Sequence, residues 1–424
     1  WHCPCGYWAE FIALKAPHMS IAAAPISAEP VDFEEQTPLE DATELVLSTS
    51  ADIDGLRPDW VNLEHRAAGH VFQSWAWVSQ WHTHIGAARA IEPFIVMASR
   101  RGGGLVALLP MGIETRGHIR KLVWLGAEHA DYKGPLLDKT FLARMTPRIT
   151  RSLLNAACRM APNIDVVQLL EMPATLEDGS HPLLCCPNHL SPMGSHSMSL
   201  GTDFDTFFKA RRGASSRKKL RQKARRLAAA HGEARMEIAA STTRRGRIIT
   251  ALIDQKRSRL AEMGVGDVFA DGDVRAFYRS MAESHPGICQ LSAYMAGDTI
   301  TAANWGLVWN GRYYYVLSTM ADGDMRAFSP GQLHLTDLIE WSIDNGLSTF
   351  DFTAGDEGYK DEWCDTVMPL FDIHFGLTMK GRITAFALSV GRRAKRTIKQ
   401  DERLWKAAKN LRKLVYRFRT QTAW

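Results

Sequence analysis

No CxxC pair occurs in this chain, although it has seven cysteines (Cys3, Cys5, Cys158, Cys185, Cys186, Cys289 and Cys364). An odd number without paired spacing argues against a zinc site or a disulfide framework and fits a reducing compartment. No run of 18 or more apolar residues exists, so no segment reads as a transmembrane helix. A signal-peptide pattern is missing too, and a cytoplasmic location is expected. The formal net charge is only +5, so the protein as a whole is not a polycation, and DNA is not expected among its partners. His82 and His84 in WHTH stand two apart, on different faces of a helix. They make a poor metal pair, and no metal is expected.

What is present is the composition of a soluble globular protein: 424 residues, 46% hydrophobic and 23% charged. That length suggests two domains and a tail. Residues 1–18 read as upstream sequence ahead of Met19, and residues 1–40 as a disordered or non-native extension. Between 41 and 200, short strands and helices alternate. FQSWAWVSQWHTHI (72–85) carries an aromatic helical stripe, and residues 92–116 read as a hairpin turning at RRGGG. LVWL (122–125) and IDVVQLL (164–170) read as strands, with a helix over 140–160.

The basic residues are clumped. From Lys209 to Arg226, ten of eighteen residues are Lys or Arg, inside a segment (201–243) that reads as a basic helical linker. It is either a solvated helix face or a platform for an acidic partner, such as an acyl carrier protein or tRNA. No aromatics interleave with these charges, so a stacking platform for single strands is not indicated. From 244 to 385 the order is helix (244–263), helix (273–284) and a three-strand meander with an Asn310-Gly311 turn. A helix (332–345), a strand (349–353), a short helix and a last strand (370–378) turning at Lys380-Gly381 follow. Residues 386–424 form a basic helical tail. Its 392–419 stretch either docks on the protein or meets an anionic membrane surface, which would make the protein peripheral to the inner membrane.

One stretch stands out. FDFTAGDEGYKDEW (350–363) begins as a buried strand and empties into ionisable side chains. Upstream lies FSPGQLHLTDLIEW, where Ser329 is suited to capping, Pro330 to a first turn, and Gly331 to close approach of a phosphate at a helix N-terminus. An ordinary capped helix would read the same way. Asp322, Ser329-Pro330-Gly331, FDF, Gly355-Asp356-Glu357, Tyr359-Lys360 and Trp363 together resemble the two-domain GNAT-like acetyltransferases of the CelD type, related to the Fem peptidyltransferases. FQSWAWVSQW and ADYKGPLL (130–137) resemble that group as well. The likeness covers roughly 41–385, but the chain lacks the R/QxxGxG/A pyrophosphate signature.

The resemblance implies an α/β fold, with an α+β mixed sheet. It would have two tandem GNAT-like domains, degenerate at 41–200 and donor-binding at 244–385, each a mostly antiparallel sheet flanked by helices. It implies acetyl-CoA or another acyl-CoA at Ser329, Pro330, Gly331 and Gln332. Acyl transfer needs a base, an oxyanion stabiliser and an acid for the leaving thiolate. Asp351, Asp356 or Glu357, Lys360 and Tyr359 are the candidates, with Asp351 expected to face the cleft. Asp322, Asp131, Tyr132 and Trp363 are candidate substrate contacts. The alternative is structural: Asp356 and Glu357 cap a helix, Tyr359 packs on Trp363, Lys360 is solvated, and Asp322 holds its loop. His334 reads as a packed histidine. The implied function is acyl transfer to a sugar, polysaccharide precursor or amine, in cellulose or other exopolysaccharide synthesis. The rivals are a Fem-like aminoacyltransferase using aminoacyl-tRNA and a non-catalytic scaffold.

Overall fold

The computed structural model describes residues 45–176, 179–408 and 410; the expected extension at 1–40 and the end of the basic tail lie outside them. The first half opens with β1 (Leu45–Ser50), α1 (Arg57–Glu64), β2 (Ala67–Ala68) and α2 (Trp75–Trp81). A meander of β3 (Glu92–Arg100), β4 (Leu105–Arg116) and β5 (Ile119–Trp124) follows. Then come β6 (Leu136–Asp138), α3 (Lys139–Leu142), α4 (Pro147–Met160) and β7 (Val166–Pro173). A short hairpin, β8 (Thr175–Leu176) and β9 (Gly179–Ser180), leads to β10 (His189–Ser199). The basic segment forms α5 (Phe204–Arg211) and α6 (Ala214–His231).

The second half comprises β11 (Ala234–Ile238), α7 (Thr242–Met263), α8 (Gly272–Ser284) and a meander of β12 (Cys289–Ala296), β13 (Thr299–Trp309) and β14 (Arg312–Met320). It ends with α9 (Pro330–Asp344), β15 (Thr349–Ala354), β16 (Thr366–Gly376) and α10 (Met379–Gln400). Asn310 and Gly311 both take positive φ (47° and 70°), the type I′ geometry that joins β13 to β14.

The fold is mixed α/β. One sheet runs through both halves in the order β1-β3-β4-β5-β7-β16-β10-β15-β14-β13-β12-β11. Its pairs are antiparallel apart from β5 with β7 and β14 with β15. The halves exchange their last strands. β16 pairs with β7 of the first half, while β10 lies between β16 and β15. Small residues make that central position possible: Ser191 and Ser195 are buried between two neighbouring strands. Pro192 falls where the register with β16 shifts, between Leu190 and Gly194, so its missing N–H costs no ladder bond.

The aromatic stripe of 72–85 is the seam between the halves. Trp77 of α2 meets Phe277 of α8 edge-on with centroids 5.0 Å apart, and Trp305 of β13 at 6.1 Å. Phe72 meets Tyr314 at 5.7 Å. Ser74 starts this helix by accepting from the Trp77 amide. Each such aromatic pair contributes about 0.5–1.5 kcal/mol beyond the area it buries.

Two expectations change. The stretch 140–160 is two helices, because Thr146-Pro147 begins a new one with Thr146 as its cap. Lys380-Gly381 is no turn; Thr378 caps α10, accepting from the Gly381 amide. Gly381 is there because the helix lies directly on β7's approach: a Cβ would sit 1.8 Å from the Asp165 carbonyl oxygen. Gly381→Ala is therefore expected to lower unfolding free energy by about 1–3 kcal/mol. Urea denaturation measures this, and a midpoint unchanged from wild type would show that α10 does not dock there.

Candidate active site

β14 and β15 pair only over Arg312–Tyr314 and Thr349–Asp351. Beyond Asp351, β15 keeps β10 as its partner on the other side, as far as Ala354 opposite Ser195. The sheet thus opens between β14 and β15, and the ionisable stretch follows at the end of β15.

Asp351 does not face this opening. It is fully buried, its carboxylate accepting from the Tyr132 hydroxyl (2.7 Å), Arg312 (2.8 Å) and the Thr353 amide (2.7 Å). A buried charge needs such complete pairing. Burial and the neighbouring Asp351 carboxylate push the Tyr132 phenol well above its ordinary pKa. Tyr132 is likewise sealed, so Asp351 and Tyr132 join the first-half loop to the second-half strand. Thr353, which follows, has φ 60°; for a β-branched residue this is strain, and strain of this kind gathers at functional sites.

The ion pair at the centre is Glu357 with Lys360, 2.7 Å apart and both buried. Lys360 also donates to the carbonyls of Ala354 and Gly355, so it is not solvated. Gly355 must be glycine: φ is 122°, and a Cβ would meet the Glu357 carboxylate at 2.8 Å. Beyond the ion pair with Lys360, neither Glu357 oxygen has a hydrogen-bond partner among the described residues. Lys256 of α7 faces the same carboxylate; burial draws it down to about 8, with Glu357 opposing the shift. Lys399 of α10 approaches Asp356 and Glu357, and burial and Lys395 lower its pKa.

Asp356 is solvent-exposed and accepts from His196 of β10 (3.2 Å) and the Gly194 amide. Burial of the carboxyl would raise its pKa, but the His196 hydrogen bond and charge outweigh it and hold the group below its usual range. Tyr359 lies edge-on to Phe352, and burial, then Tyr315 and Glu357, raises its pKa so that the phenol stays protonated. From the first half, Asp131 bonds the Thr353 hydroxyl near Lys360 and Lys133; burial dominates and pushes it to about 7.

Trp363 is buried, stacked on Phe208 and covered by Arg212 at 4.3 Å, so it offers no open platform. Asp322 is tied to Ser258 and Arg326, the arrangement expected of a residue that holds its loop. That loop contains a tight turn over Gly323–Phe328. Ser329 does not cap α9 with its side chain; it is left-handed (φ 52°), and its hydroxyl accepts from Lys223 of α6 at 2.7 Å. Pro330 has no amide, while the Gln332 and Leu333 amides both bond the Ser329 carbonyl. Gly331 supplies the remaining amide of the first turn, beside the exposed Gln332. His334 is packed against Ser292, and burial drives it to about 3.

The structure thus gathers Asp131, Glu357, Tyr359 and Lys360 around the end of β15, sets Asp356 against β10 on the other edge of that strand, and puts Ser329–Gln332 at the head of α9. It separates Asp351, Tyr132, Trp363 and Asp322 from that opening as bonded, covered groups. Sequence reading missed Lys256, His196, Lys223 and Lys399. Lys223 and Lys399 fall inside the two basic segments noted above, which gave no reason to single them out; Lys256 is one cation among several on an amphipathic helix, and His196 lies on a strand without a clear sequence pattern. Another groove, of about 930 Å³, lies between α3, α4 and the β8–β9 hairpin and includes His181 and Phe371. None of the residues expected to carry chemistry lines it.

Residues 214–361, from α6 through the Glu357–Lys360 pair, match the acetyltransferase (GNAT) domain family. This stretch is similar to GNAT-type acyltransferase domains. The match starts at α6, within the segment read from sequence as a linker. FemX is similar in fold, with a TM-score of 0.52 at 10% identity, covering 76% of this chain and 96% of that one. A conserved protein of unknown function from Bacteroides thetaiotaomicron has a TM-score of 0.49 at 8% identity, covering 77% and 99%. A tandem GNAT protein from the clavulanic acid biosynthesis pathway has 0.44 at 11% identity, covering 78% and 98%. No curated protein sequence matches the chain.

Two outcomes test the geometry of this candidate site. Lys360→Met strands the Glu357 carboxylate in a buried place and should cost about 3–5 kcal/mol. Adding Glu357→Gln should restore much of that; a single variant as stable as wild type would show that the pair is not buried. Asp131 has a folded pKa above its unfolded value of 3.8. Its contribution to stability is complete below pH 4 and is lost as pH rises through about 7. Asp131→Asn should therefore melt higher than wild type at pH 8 and at the same temperature at pH 4. Equal differences at both pH values would place Asp131 among ordinary carboxylates.

Proposed function

We propose that the protein transfers an acyl group from an acyl-CoA to an amine or hydroxyl of a sugar or polysaccharide precursor, at the opening between β14 and β15. The observation that carries this reading is the parting of those two parallel strands after three residue pairs, with the N-terminus of α9 following the parted end of β14 and the Glu357–Lys360 pair following that of β15. Such a gap suits the extended arm of an acyl-CoA. Its pyrophosphate would meet the Gly331 amide and the positive end of the α9 dipole, with Lys223 alongside.

In this reading Glu357, whose carboxylate has no hydrogen-bond partner among the described residues besides the Lys360 ion pair, takes the proton of the attacking amine or hydroxyl. Lys360 and the protonated Tyr359 stabilise the developing oxyanion and the leaving thiolate. Asp131 closes the acceptor side from the first half.

A second reading has one observation in its favour. The cationic helix α6 runs directly past Ser329, so a donor carried on an acidic macromolecule, as in an aminoacyl-tRNA, would find a charged path to the same opening.

Calorimetric titration with CoA and acetyl-CoA tests the first reading. Binding is expected, and Gly331→Trp should abolish it at an unchanged melting temperature, since a Cβ at Gly331 makes only ordinary contact with Met320 at 3.6 Å. Absence of binding by the wild type, together with binding of charged tRNA, would replace it with the second.

A further inference from the structure

α10 carries an apolar stripe that nothing in the described structure covers. Met379, Ile383, Phe386 and Val390 are 72%, 69%, 71% and 47% exposed. Their spacing of four, three and four residues sets them on one line of the helix, about 16 Å long at 1.5 Å per residue. Scattered exposed apolar residues are ordinary; four in register on one helix are not.

The helix is held so that this line points away from the protein. On the opposite face, Gly381 lies against the Asp165 carbonyl and Ala385 is buried. Farther along, Arg392 bonds Asp372, Glu171 and the Ser191 hydroxyl. Lys380 pairs with Asp165 at the first turn. The helix is thus clamped near both ends, and the stripe cannot rotate inward without breaking buried ion pairs.

Charge identifies the occupant. The 22 residues of α10 include seven Lys or Arg and no Asp or Glu. The exposed Arg382 and Arg393 border the stripe on one side, and Lys380 borders it on the other. An outward ridge of apolar side chains edged by cations fits a flat, anionic, apolar-backed surface. A protein groove of matching shape is not required. No helix among the described residues is long and apolar enough to cross a membrane, which leaves an in-plane position at the interface. We infer that α10 is an interfacial helix that seats the protein on anionic lipid through Met379, Ile383, Phe386 and Val390. The inference is independent of the acyl donor, because these residues lie outside the opening at β14 and β15.

Flotation of the full chain with phosphatidylglycerol-containing vesicles tests it. Wild type should float with them and not with phosphatidylcholine vesicles. Ile383→Ser/Phe386→Ser and Arg382→Glu/Arg393→Glu should each weaken binding roughly tenfold or more, because affinity follows buried apolar area plus attraction to anionic lipid. Melting temperatures should stay at the wild-type value, since none of the described residues covers the four side chains. Wild type that does not float overturns the inference. So does flotation unaffected by both double variants. A concentration-dependent dimer lost in Ile383→Ser/Phe386→Ser, without vesicle binding, would assign the stripe to a second copy. A fall in melting temperature in that variant, again without vesicle binding, would assign it to another part of this chain.

Discussion

Everything about the candidate site depends on β10 lying between β15 and β16. That placement gives β15 a full antiparallel partner, so it need not follow β14 past Asp351. A parallel pair that ends after three residues would otherwise leave buried backbone groups unmatched. Here β10 holds the opposite edge of β15 as far as Ala354, and Lys360 donates to the carbonyls of Ala354 and Gly355 where the strand ends. The same exchange sends β16 to β7 and makes the two halves one sheet, so neither half can move without disturbing the other's strands.

The exchange also brings charges from distant parts of the chain into a poorly solvated seam. Their burial is offset by pairing. Lys133 bonds Glu171, Arg392 bonds Glu171 and Asp372, and Arg312 bonds Asp351. Burial alone would raise Glu171, but Lys133 and Arg392 hold it down to about 2. The groups at the opening are left less completely matched. Glu357 has an ion-pair partner but no hydrogen bond, and Asp131 is shifted up by burial. Burial raises Glu64 and Asp337 to about 7 as well, so what distinguishes the end of β15 is the buried Glu357–Lys360 pair and Asp131 standing together beside a strained Thr353.

Much of the second half was legible in the sequence because its signals are local. The Asn310-Gly311 turn, the helix after Ser329-Pro330-Gly331 and the strand FDF followed by acids each depend on residues a few positions apart. The GNAT resemblance rested on that same run. β10 was not legible: HLSPMGSHSMS lacks the apolar alternation of a buried strand, and only its neighbouring strands make its serines and glycine appropriate. Asp351 was misjudged for a related reason. Alternation with Phe350 and Phe352 put it on the other face of the strand, but Tyr132, 219 residues away, waits on that face. Lys256 looked like one more cation on an amphipathic helix until the fold set Glu357 in front of it.

The central claim is that the parting of β14 from β15 is the donor channel of an acyltransferase. A crystal structure of the chain with bound CoA tests it most directly. The account predicts the pyrophosphate at the Gly331 amide near Lys223, the pantetheine arm between β14 and β15, and the thiol beside Glu357 and Lys360. CoA seated in the groove at His181, with none of it between β14 and β15, would contradict it.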